Sequence, residues 1–108
     1  MNHSHYVVLT TCPNADTAGA IADALVEQGH AACVNIVGGL RSVYMWQGAR
    51  QSAEEYLLII KTTQAAYPAL EQAIAALHPY ELPEIIAVPM AAGLPGYLDW
   101  ITAACARS

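Results

Sequence analysis

Residues 32 to 62 restrict the fold more than any other stretch. "AACVNIV" has strand character, is interrupted by Gly38-Gly39, resumes as "RSVYMW", turns at "QGAR" and returns as "AEEYLLIIKTT". Two β-rich runs joined by a short glycine-containing turn predict an antiparallel hairpin, here a long one. Gly38-Gly39 predict a bulge or bend within it, because glycine weakens strand pairing and permits sharp curvature. A hairpin of this length overhangs a small domain. Its far end, with Tyr44, Met45 and Trp46, is the surface expected to grip a neighbouring subunit.

The flanking segments supply the other elements. "HYVVLTT" (5 to 11) predicts a first strand, stopped by Pro13, with Asn14 as an N-cap candidate. Ala18, Ile21, Ala22 and Leu25 then recur at helical spacing, Asp23 and Glu27 fall on the other side, and Gly29 stands where a C-cap glycine belongs. Pro68 is placed as the first residue of a second helix, with Leu70, Ile74 and Leu77 on one face. Pro79 ends that helix, since the residue before a proline is pushed out of the α region. "PEIIAVPM" predicts a buried strand, and "LPGYLDWITAACA" a last amphipathic helix carrying Leu98, Ile101 and Cys105. The order β-α-β-β-α-β with an added helix predicts an α+β fold: a ferredoxin-like (split βαβ) sandwich with an extended β-hairpin and a C-terminal helix, in a single domain spanning residues 1–108. Helices cover one face of such a sheet, and the other is left for something else.

Composition says what that something is. Apolar residues make up 56% of the chain and charged residues 12%, against about 25% charged in an ordinary soluble domain. Large exposed apolar patches are uncommon on monomers, so the surplus predicts an obligate homo-oligomer. No apolar run approaches the ~20 residues that span a bilayer, which excludes the membrane. The start, "MNHSHYVVLT", has no signal-peptide pattern, and the cytoplasm is the expected location. Cys12, Cys33 and Cys105 are an odd number without CxxC spacing and read as reduced thiols. Four Lys and Arg against nine Asp and Glu, a formal charge of -5, give no footprint for nucleic acid.

The residues able to carry chemistry gather around "HPYELPEII", 78 to 86. His78 is a candidate metal ligand, since imidazole is neutral near physiological pH; a histidine at a helix C-terminus is equally the residue the helix dipole favours. Glu81 and Glu84 lie close behind it, in extended or turn backbone, where an ion pair with Lys61 competes with any acid/base role. Lys61 ends the apolar strand "YLLIIK" at the edge of the core. Cys33 faces either inward, as most free cysteines do, or into a cleft. Tyr44, Trp46 and Trp100 are expected at an interface. His3 and His5 could chelate adventitious copper or nickel at the terminus. No phosphate loop, HExxH, GxSxG or Gly-rich dinucleotide turn is present, and no enzyme activity is expected.

At these residues the sequence resembles the CutA family of divalent-cation tolerance proteins. "AACVNIV", "SVYMWQGARQSAEEYLLIIKT", "HPYELPEIIAVPM" and "GYLDWI" occur in the family's order and spacing across nearly the whole chain. The resemblance implies a homotrimer whose long hairpin reaches around its neighbours, in the cytoplasm, with a role in tolerance of copper and other divalent cations. It also implies copper ligands, a cysteine and two consecutive histidines, at positions that here hold Thr10, Leu77 and His78, so that His78 alone of the three is retained. The architecture further resembles the PII signalling proteins, whose trimers bind small ligands between subunits. Two functional readings follow. One is a metal-binding tolerance protein using His78 with Glu81 or the Cys33 thiol, for copper or another divalent cation. The other is a PII-like module in which Lys61, Tyr80, Glu84 and Trp46 line an inter-subunit cleft for a small anion or metabolite.

Overall fold

The computed structural model describes residues 3–106. Its elements follow the order β1 (His5–Cys12), α1 (Ala15–Glu27), β2 (Cys33–Trp46), β3 (Ala49–Thr63), α2 (Tyr67–Leu77), β4 (Ile86–Pro89) and α3 (Pro95–Cys105). The strands form one antiparallel sheet in the order β2-β3-β1-β4. This is the ferredoxin-like sandwich with an added C-terminal helix.

Local chemistry accounts for the boundaries. The Asn14 side chain accepts a hydrogen bond from the Thr17 amide at 2.8 Å and starts α1. Gly29, at φ 75°, ends it in the left-handed conformation, while the amides of Gly29 and His30 return to the carbonyls of Val26 and Leu25. α2 opens with Pro68 in its first turn and closes at His78, whose ψ of 137° is the extended geometry imposed by Pro79. β2 and β3 pair from Cys33↔Lys61 to Trp46↔Ala49, with a register shift between Val37 and Leu40 at the glycine pair. The turn at their tip is Gln47-Gly48, both at positive φ, which matches the twist of the flanking strands.

Val8, Leu58 and Ile60 of the sheet pack with Ile21, Leu25, Leu70 and Ile74 of the first two helices to form the main core. Ile101 and Cys105 of α3 close a second cluster with Ala32 and Ala66. Residues directly opposite each other in a ladder share a face. By that register Val7, Leu9, Leu57, Ile59, Ile86 and Val88 all point away from the helices. That face is apolar and has no helix upon it. β4, expected to be buried, is instead a four-residue edge strand whose Ile86 and Val88 are each 48% exposed. The cause is that its outward residues belong to the uncovered face. The described residues extend 44 × 28 × 23 Å with a radius of gyration of 14.4 Å, against about 13 Å for a compact chain of this length. The overhanging hairpin makes the difference.

Candidate functional site

The segment after α2 folds back across the ends of β1 and β3 by a chain of hydrogen bonds that begins at His78. Its Nε2 lies 2.8 Å from the Thr11 carbonyl oxygen, and its Nδ1 lies 3.1 Å from the Tyr80 amide nitrogen. A carbonyl only accepts and an amide N–H only donates, so Nε2 carries the proton and Nδ1 the lone pair. Both nitrogens of the imidazole are engaged, and it is buried at 8% exposure. His78 clips α2 to β1.

Two residues later the Tyr80 hydroxyl donates to Glu55 Oε2 at 2.7 Å. The Tyr80 ring leans on His78 with centroids 4.7 Å apart, so the clip and this bond fix it together. Burial, then the Glu55 carboxylate, raise the phenol above its ordinary range and keep it a donor. Glu55 is 6% exposed. The neighbouring Cys12 thiol is pushed up to about 11, first by burial and then by the Glu55 charge, which makes it inert at neutral pH.

In front of Glu55 lies a cleft of about 710 Å³ between the hairpin tip and the 79–84 segment. Glu55, Glu81 and Glu84 line it, with Tyr44, Trp46 and Tyr80 as its aromatic walls. Of the residues expected in a ligand cleft, Tyr80, Glu84 and Trp46 are brought together here, and Glu81 joins them. Lys61 stands elsewhere: it is four residues along β3 from Leu57, the partner of Thr11, which is ~13 Å. Its ammonium donates to Asn35 Oδ1, and it meets neither Glu81 nor Glu84. Cys33 sits opposite Lys61 in the ladder, with its thiol toward the same Asn35 oxygen, and so lies four residues along the ladder from the level of Thr11, where His78 is held. The register therefore separates the thiol from the imidazole. Trp100 is on α3, 48% exposed and stacked on Tyr97 with ring centroids 5.5 Å apart. His5 is a strand residue rather than a loose chelator, and its Nε2 lies 2.8 Å from Thr102 Oγ1.

Copper does not fit the residues at the three positions that the resemblance implies as its ligands. Thr10 is fully buried on the helix side of β1 with its hydroxyl unpartnered, Leu77 is an exposed hydrocarbon, and both His78 nitrogens are occupied. Among the described residues no group of three or more His, Cys, Asp and Glu converges as a metal cage. Glu55 is the residue that sequence reading passed over. Its signal lies in the ladder: Glu54 stands opposite Arg41, so its neighbour Glu55 points to the other face, where Leu40 is its cross-strand partner and the nearest lysine of the strand, Lys61, lies six residues along.

Over residues 6–104 the chain matches the family of the CutA1 divalent ion tolerance protein. The divalent-cation tolerance protein CutA of Thermus thermophilus is 54% identical over 95 residues, covering 88% of this chain and 92% of that protein. The crystal structure of CutA from Xylella fastidiosa superposes with a TM-score of 0.93 at 41% identity, over 94% of this chain and 98% of that one. A structure described as the periplasmic divalent cation tolerance protein CutA of Archaeoglobus fulgidus gives 0.91 at 35% identity, over 94% and 98%. The chain spans about half the length of the plant and mammalian curated relatives it matches, 52% of the chloroplastic protein of Arabidopsis thaliana. Sequence, topology and superposition agree over nearly every described element, and the chain belongs to the CutA1 divalent ion tolerance family.

Proposed function

We infer that the chain serves in divalent-cation tolerance as a cytoplasmic homotrimer that holds a cation in the acidic cleft at a subunit boundary. The observation that carries this reading is the lining of the cleft, which includes Glu55, Glu81 and Glu84 and no lysine or arginine. An anion would face three carboxylates there. A cation would gain from all three, and most from Glu55, which has already lost most of its water. The trimer is supported by the apolar sheet face and by the exposed hairpin tip beside the cleft, since both need cover. A partly buried Cys33 left as a thiol fits a reducing compartment. No helix among the described residues is long and apolar enough to cross a membrane.

Native mass spectrometry and a thermal-shift panel of metal, alkali, organic cations and anions test the reading. A trimer stabilised by some cation, with the shift lost in a Glu81→Gln/Glu84→Gln variant, is the expected result. A monomer, or stabilisation by anions alone, overturns it.

A further inference from the structure

We propose that the cation this cleft selects is an organic ammonium, a quaternary or alkyl amine, rather than a bare metal ion. The inference rests on the preceding reading that the cleft binds a cation, and it names the chemistry of that cation. Four observations bear on it.

The first is dispersion of the carboxylates. A divalent metal is held by six or more oxygens at about 2.0–2.6 Å, so its ligands must converge on a point. Glu55, Glu81 and Glu84 instead line a space of about 710 Å³, within the range that encloses a small organic molecule. No three metal-binding side chains among the described residues meet closely enough to hold an ion.

The second is the aromatic wall. Tyr44, Trp46 and Tyr80 border the same space. A ring face attracts an ammonium whose charge is spread over alkyl groups, and a carboxylate beside the rings completes the charge balance. A small hydrated metal ion gains little from such a wall, because its water is too tightly held to be exchanged for π-electrons.

The third is Glu55 itself. At 6% exposure it is more than nine-tenths buried, it lines the cleft, and its hydrogen-bond partner is the neutral Tyr80 hydroxyl. A buried carboxylate without a counter-charge is costly, and a cation entering the cleft removes that cost. Tyr80 holds the carboxylate in place, and the raised phenol stays protonated to do so.

The fourth is the position of the rings. Tyr44 and Trp46 are each 46% exposed at the hairpin tip, while Tyr80 is fixed below by His78 and Glu55. A floor fixed by hydrogen bonds and a wall of rings at the hairpin tip, which the proposed trimer places at a subunit boundary, frame a space for a ligand larger than an ion.

The test uses the purified full chain in its native assembly and isothermal titration calorimetry. The probes are choline, putrescine, the uncharged choline isostere 3,3-dimethyl-1-butanol, and the chlorides of magnesium, zinc and copper. Saturable binding of choline or putrescine, absent for the isostere and weakened roughly 3- to 30-fold in Trp46→Leu, is the expected result. Glu81→Gln/Glu84→Gln, at exposed positions, supplies a second variant that keeps the fold, and it too should lose affinity. Saturable metal binding in the cleft without ammonium binding overturns the inference and leaves the cation-binding cleft standing. Equal binding of the isostere overturns it as well, because the cleft would then be an apolar pocket. Binding of none of the probes removes both the inference and the reading beneath it.

Discussion

A histidine, a tyrosine and a glutamate show how far one side chain can be read from its neighbours in sequence. His78 looks like a ligand on paper because imidazole often is one. Its two ring contacts, to a carbonyl on one side and an amide on the other, make it a clip. The difference lies in Thr11, sixty-seven residues away in the chain, whose carbonyl no local pattern places beside the ring. Tyr80 and Glu84, expected in a cleft from the Pro-rich segment that carries them, line the space beside Glu55. Glu55 was not legible, because a carboxylate within "AEEYLLII" reads as the solvated side of a strand until the 78–84 segment is known to cover it. Thr10 gives a sharper test of the same lesson. Its hydroxyl is fully buried in the helix-side core and has no partner, which costs on the order of 1–3 kcal/mol. Thr10→Val keeps the shape and removes the orphan group. We expect the variant to gain about 1 kcal/mol in urea unfolding, with an unchanged slope. A loss of stability would mean that the hydroxyl has a partner in the assembled protein.

Among the elements, those defined by their own residues were legible and those defined by tertiary partners were not. α1 carries its cap, its apolar stripe and its terminal glycine within the segment, so its bounds follow from the sequence alone. The hairpin declares itself by the glycine pair and the Gln47-Gly48 turn. β4 could not be judged this way, since "PEIIAVPM" is apolar in every context and only the sheet order puts it at an edge with Ile86 and Val88 in the open. The glycine pair in β2 has two separate tasks. At Gly38 a methyl group would come within 2.8 Å of Tyr56 Cε2, so the tyrosine ring lies against the backbone there. Gly39 has open space around it but a φ of 78°, and its strain is that of the backbone. Gly39→Ala is therefore expected to cost about 1–2 kcal/mol without touching any neighbour. Chemical denaturation measures this directly. A neutral result would show that the bulge between Val37 and Leu40 slides to a different register when the glycine is lost.

On the scale of the whole molecule, the apolar excess that first pointed to an oligomer has a definite address. It is the sheet face opposite the helices, continuous from β3 through β1 to the edge strand β4, together with the hairpin tip. A face of aliphatic residues on several strands is the kind of surface that packs as a protein interior does when copies meet. The proposed trimer also explains why so few charges are needed, since less of each chain would then face water. Val88 separates this account from one in which the hairpin alone makes the contacts. It lies on the open face, far from the cleft and outside the helix-side core, so Val88→Glu leaves the folding of a single chain nearly intact. In an assembly built on the sheet face, the same change would bury a carboxylate without a partner, at a cost of several kcal/mol. We expect sedimentation velocity to show loss of the trimer, together with a lower melting temperature and aggregation as the aliphatic face is uncovered. A variant that remains a trimer with wild-type stability would confine the interface to the hairpin and leave the open sheet face without an occupant.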